Sequence, residues 1–95
     1  MSIKEAYEQK QQAQLNEWAV QIKKLKAKAD MAEAGAQLSY YKQTEELQSM
    51  QDEATKKLTK LKNASDEAWE DLKAGMESTR GSLGNAMKVA VSRFK

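Results

Sequence analysis

The chain has 95 residues, 16 basic and 14 acidic side chains, a net charge of +2, and no proline, cysteine or histidine. Without His or Cys it has no thiolate or imidazole metal ligands, no disulfides, no cysteine nucleophile and no His-dependent acid–base pair or triad. Its Ala, Leu, Glu, Gln and Lys, uninterrupted by proline, suit a single all-α coiled-coil domain over residues 1–95. No apolar run approaches the roughly 18 residues of a membrane span.

Residues 1–14 are polar, with only Ile3, Ala6 and Tyr7 as a weak stripe, and read as a frayed helical end. They lack the short apolar core of a secretory signal, which makes a cytoplasmic location the expectation. From Leu15 the pattern sharpens. Leu15, Trp18, Ile22, Leu25, Ala29, Ala32 and Ala36 alternate steps of three and four, the spacing of a heptad seam. Gly35 lies between Ala34 and Ala36 with no capping residue beside it, and reads as a close-contact point inside a continuous helix. The stripe runs on through Tyr40, Gln43, Leu47, Met50, Ala54, Leu58 and Leu61. Two successive steps of four, Met50 to Ala54 to Leu58, form a stutter. The spacing predicts one long helix over 15–62.

A turn is predicted at 63–66. Lys56, Lys57, Lys60 and Lys62 precede it and Asp66, Glu67, Glu70 and Asp71 follow, each set opposing the partial charges of its helix end. Asn63 suits a C-terminal cap, and Ser65 or Asp66 an N-cap. An amphipathic helix over 67–95 then carries Ala68 or Trp69, Leu72, Met76, Leu83, Met87, Ala90 and Phe94 on one face, interrupted by Arg80. Val89 and Val91 widen its apolar surface, while Gly75, Gly81 and Gly84 weaken its helix propensity.

The fold expected is therefore all-α: a long helix and a shorter C-terminal helix in an antiparallel helical hairpin or coiled coil, oligomeric. A single continuous rod-like helix is the alternative. Charge favours the hairpin, because it sets the four acids after the turn opposite the four lysines before it. It also lays Arg80 to Arg93 beside Glu45 and Glu46. Such exposed pairs select register and add little stability.

The long helix outruns the short one, which leaves the seam of Leu15, Trp18, Ile22, Leu25, Ala29, Ala32 and Ala36 without a partner in the chain. That predicts a partner interface, met by a second copy or by another helical protein. The C-terminal segment has cations and no acid. Arg80, Leu83, Met87, Lys88, Ala90, Arg93 and Phe94 form a second candidate face, for a partner or an anionic membrane surface, with packing against its own first helix favoured over the membrane.

The carboxylate pairs Glu45/Glu46, Asp52/Glu53, Asp66/Glu67 and Glu70/Asp71 diverge on a helix and read as solvated faces. Gly81-Ser82-Leu83-Gly84 matches no phosphate-binding loop. No catalytic residue, cofactor site or metal site is expected, and no nucleic-acid partner.

Three stretches carry a resemblance: QAQLNEWAVQIKKLKAKAD at 12–30, KNASDEAWEDLKAGMES at 62–78 and SRFK at 92–95. Over nearly its whole length the chain resembles small bacterial coiled-coil proteins of a stress-response family, from cyanobacteria and proteobacteria, that lacks an established biochemical activity. It departs from that pattern at Arg80 and Met87, where the family has large aromatics, and at Gly81, Gly84 and Val89, where it has Glu and Lys. The resemblance implies no catalytic residues and a stress-associated role. The function expected is a non-enzymatic scaffold or adaptor acting by helix–helix association. The alternatives are a peripheral membrane protein using the basic C-terminal helix and an accessory subunit of a larger complex.

Overall fold

A computed structural model describes residues 2–94. Met1, which opens the 1–14 segment, and Lys95, the last cation of the basic C-terminal helix, lie outside the described residues. Three helices follow one another: α1 (Ile3–Asp30), α2 (Ala34–Lys62) and α3 (Asp66–Arg93). The chain is all-α, and its helices pack along one another in an up-down-up bundle with extents of 51 × 20 × 18 Å. Contacts fix the directions. Gln51 meets Leu15 and Lys62 meets Gln12, so α2 runs antiparallel to α1. Tyr7 meets Trp69 and Lys28 meets Phe94, so α3 runs parallel to α1.

The turn expected after Lys62 is present. Asn63 is the C-cap of α2, and its Nδ2 donates to the Thr59 carbonyl at 3.0 Å. Ser65 N-caps α3, its Oγ accepting from the Ala68 N–H at 3.3 Å, with Asp66 and Glu67 in the first turn. These are the side-chain caps and charge placements that stabilise helix ends.

The long helix over 15–62 is not continuous. It breaks at Met31–Glu33, so one predicted helix becomes two. Met31 closes α1 with its N–H directed at the Ala27 and Lys28 carbonyls, and Glu33 is extended at φ −61°, ψ 149°. No residue here has positive φ and no side chain caps α2. The turn is held from a distance instead. Gln37 Nε2 donates to the Asp30 carbonyl at 3.2 Å, and the Tyr41 hydroxyl donates to the Asp30 carboxylate. Gly35 lies inside α2, and a Cβ there would meet nothing within 4 Å, so it is not a close-contact point.

The physical reason for the break is burial. Beyond Leu25 the α1 stripe narrows to alanines, and straight propagation would leave Leu15, Ile22 and Leu25 in water. Folding back covers them with Leu47, Ala54, Leu58 and Leu61 of α2. Full burial of each large aliphatic side chain is worth about 1.5–3 kcal/mol, well above the cost of a short turn. The α2 stripe is itself regular: Thr44, Leu47, Gln51, Ala54, Leu58 and Leu61 are buried in alternating steps of three and four. The predicted stutter disappears because the seam passes through Thr44 and Gln51 in place of Gln43 and Met50. On α3, Trp69, Met76, Leu83, Met87, Ala90 and Phe94 complete the core.

Residues 2–14 are held as well. Ser2 N-caps α1: its Oγ accepts from the Glu5 N–H at 3.1 Å and its hydroxyl donates to the Glu5 carboxylate at 3.4 Å. The charge register differs from expectation too. Asp66 pairs with Lys4 at 2.5 Å and Lys57 with Glu53 at 3.6 Å, and among the described residues no ion pair joins α2 to α3.

Glycine in α3 gives one test of this packing. Gly81 is exposed and a Cβ there would meet nothing within 4 Å. Gly81→Ala is expected to stabilise the fold by up to about 1 kcal/mol in a urea melt; destabilisation would mean that the surface of α3 is packed against something.

Candidate helix-docking surface

α2 packs along both neighbours, whereas the α1 and α3 backbones come close at few points and are bridged by long side chains. The bridges differ at the two ends of the bundle, and that difference shapes its surface.

At the end near Ser65 the seam is closed by aromatics. The Trp69 indole donates from Nε1 to Glu8 at 3.1 Å and meets the Tyr7 ring edge-on at a centroid distance of 5.6 Å. Lys73 lies 5.1 Å from the Tyr7 ring and Lys4 lies 5.6 Å from the Trp69 ring, placing cations on both π faces. Burial and the nearby Glu77 carboxylate push the Tyr7 phenol above its ordinary pKa. Further along, the half-buried Arg80 donates from Nη1 to the buried Gln11 Oε1 at 3.4 Å. Gln51 Nε2 donates to the Leu15 carbonyl at 2.7 Å, while its buried Oε1 has no partner among the described residues.

Asp66 adds a pH dependence. Its hydrogen bond and ion pair with Lys4 hold the carboxyl below the usual 3.8. A lowered folded-state pKa stabilises the ionised form, so this contribution is present above the unfolded pKa and is lost as pH falls through the folded one. Asp66→Asn should therefore be less stable than the parent chain at neutral pH, with the gap in Tm closing as the pH falls below the ordinary 3.8 and through the lowered folded value. A constant gap across that range would count against the pairing.

Past Trp18 the α1–α3 seam opens. The Trp18 indole lies over Gly84, where a Cβ would be in ordinary van der Waals contact with its ring at 3.5 Å. The resulting groove is lined by Gln14, Trp18 and Gln21 of α1 and by Gly84, Met87, Lys88 and Val91 of α3. It continues past Gln21 and Val91 to Lys24, Leu25 and Lys28. A separate hollow at the end of the bundle lies between Lys28, Ala32, Ala36, Tyr40 and Phe94, with the Tyr40 and Phe94 rings 4.4 Å apart.

The predicted site residues divide accordingly. Leu15, Ile22, Leu25 and Ala29 are buried in the chain's own core, which overturns the reason for expecting that seam to await a partner. Trp18 is half-buried in the groove, and Ala32 and Ala36 border the end hollow. On α3, Leu83, Met87, Ala90 and Phe94 are core residues, so the apolar face of the basic helix lies on α1 and α2, the arrangement favoured over a membrane face. Lys88 and Arg93 remain exposed and Arg80 is engaged with Gln11. The open groove has one trace in the sequence, Val91 beside the apolar stripe.

Among the described residues no cluster of acidic side chains could hold a metal ion, and no helix is long and apolar enough to cross a membrane. Among the described residues the exposed large apolar side chains are Ile3, Val20, Met31, Leu38, Val89 and Val91, with Met31 86% and Leu38 79% exposed. Compared with protein-family models, curated proteins and solved structures, the chain matches none, so these comparisons do not bear on the stress-response resemblance.

Proposed function

We propose that the protein is a non-enzymatic scaffold or adaptor that acts by helix–helix association, in the stress-associated setting that the sequence resemblance implies. One observation carries the reading: a bundle that fills its core from its own three helices still holds Val20, Met31, Leu38 and Val91 in water and leaves Trp18 half-covered. Of these, Trp18 and Val91 line one groove between α1 and α3, and exposed apolar side chains that line a groove mark association surfaces. Partners in this reading are a second copy or another helical protein, met on the outer faces of an intact bundle.

The test is photo-crosslinking in cells. A photoreactive residue at Val20, Leu38 or Val91 should trap discrete products, while one at Glu70 on the acidic face should not. Absence of products at all three apolar positions would contradict association. Sedimentation equilibrium of the purified chain then separates self-association from a different partner.

A further inference from the structure

The α1–α3 groove has a definite length, floor and charge. Along α1 it extends from Gln14 to Lys28, about 21 Å or four helical turns. Its floor is apolar: the Trp18 indole, the flank of Met87, Leu25 at its far end, and Val91, which is 48% exposed. The charged side chains lining it are Lys24, Lys28 and Lys88, and no carboxylate lines it. Glu17 of α1 accepts from the groove-lining Gln14 at 3.5 Å, at the groove's upper edge. Lys28 also reaches the Phe94 carbonyl at 3.3 Å, which fixes its ammonium group at the lower end.

We infer that this groove takes an acidic amphipathic helix from a partner protein, as the fourth helix of the bundle; the inference rests on the association function proposed above. Three helices packed up-down-up, with the seam between the parallel α1 and α3 open, present the site that a fourth helix fills in a four-helix bundle. A helix of about four turns matches the groove length, with apolar residues at i, i+3, i+4 and i+7 on Trp18, Met87 and Val91. Carboxylates along its flanks meet Lys24, Lys28 and Lys88. Charge also selects against a second copy, because a two-fold contact through this face sets lysine against lysine.

The test uses the full chain, labelled with nitrogen-15. The probe is a synthetic helix of about 21 residues with Leu at heptad a and d positions and Glu on both flanks. The controls are the same helix with Lys in place of Glu, vesicles of phosphatidylglycerol and phosphatidylcholine, and oligothymidylate. The acidic helix should shift the Trp18 indole N–H and the Gly84, Lys88 and Val91 amides, leaving the Trp69 indole, bonded to Glu8, in place. Lys24→Glu with Lys88→Glu should weaken binding about tenfold or more, as should raising the salt to about 0.5 M.

Lys24 and Lys88 are exposed, so the reversed chain should retain its helical signal and melting temperature; should it not, Lys24→Gln with Lys88→Gln is measured in its place. No shift at Trp18, an equal response to the cationic helix, or a response only to vesicles or oligothymidylate would overturn the inference. So would self-association of the chain alone that the two reversals abolish, which would assign the groove to a second copy. Failure of the acidic helix alongside crosslinks at Val20 or Leu38 refutes the groove's occupant and leaves the association function standing. Absence of crosslinks at every apolar position refutes that function itself.

Discussion

Ile22→Ala is expected to lower the unfolding free energy by about 2–5 kcal/mol, the range for truncating a buried aliphatic side chain. Ile22 is 1% exposed, and its neighbours in the core are residues of the same chain. The loss should therefore be the same at low and high protein concentration. If Ile22 instead faced another chain, the melting temperature would rise with concentration and the substitution would act by dissociating an oligomer. Denaturant melts at protein concentrations about a hundredfold apart decide between these, since mass action then separates the midpoints. A loss near zero would contradict the burial of the seam.

Trp69→Ala should be similarly severe, at about 3–5 kcal/mol. Trp69 is 4% exposed and supports the start of α1: Glu8 accepts from its indole N–H, Tyr7 packs on its edge, and Lys4 lies over its ring. Truncation should accordingly have a local signature beyond lost stability, with amide exchange rising first in residues 3–10. Hydrogen exchange of the parent chain is the matching control. Were those amides unprotected before any substitution, the aromatic clasp would not be holding the helix.

What the sequence disclosed and what it hid have separate physical causes. The turn at Asn63–Ser65 was legible because its determinants are local: a capping side chain on each helix and charges opposing each end. The start of α1 was legible in principle, since Ser2 and Glu5 stand at capping-box spacing, but the polar run after them suggested fraying. Its docking depends on Trp69, more than 60 residues away, which no local pattern reveals.

The turn at Met31–Glu33 lacks local signals altogether. It has no glycine conformation and no side-chain cap, and Gln37 and Tyr41 fix it from the next helix. The resulting topology, rather than any motif, decides the fate of the heptad seam. A stripe that looked unpartnered on a straight helix is covered once the chain turns back on it. Gln51 and Met50 show the same limit on a smaller scale. An apolar template selects Met50, yet the regular stripe buries Gln51, whose amide reaches the Leu15 carbonyl. The open surface is accordingly Trp18 and the basic groove beside it, while Leu15, Ile22 and Leu25 are buried.

The central claim is that residues 15–62 fold back on themselves within one chain. The absence of native cysteine allows spin labels at two introduced cysteines, Asn16→Cys and Asp52→Cys, both at exposed positions. Pulsed dipolar spectroscopy, with the labelled chain diluted in unlabelled chain so that only distances within one molecule register, measures their separation. Neighbouring antiparallel helices about 10 Å apart predict a distance below about 30 Å. An uninterrupted helix between the same positions would place them about 54 Å apart, and that result would contradict the fold.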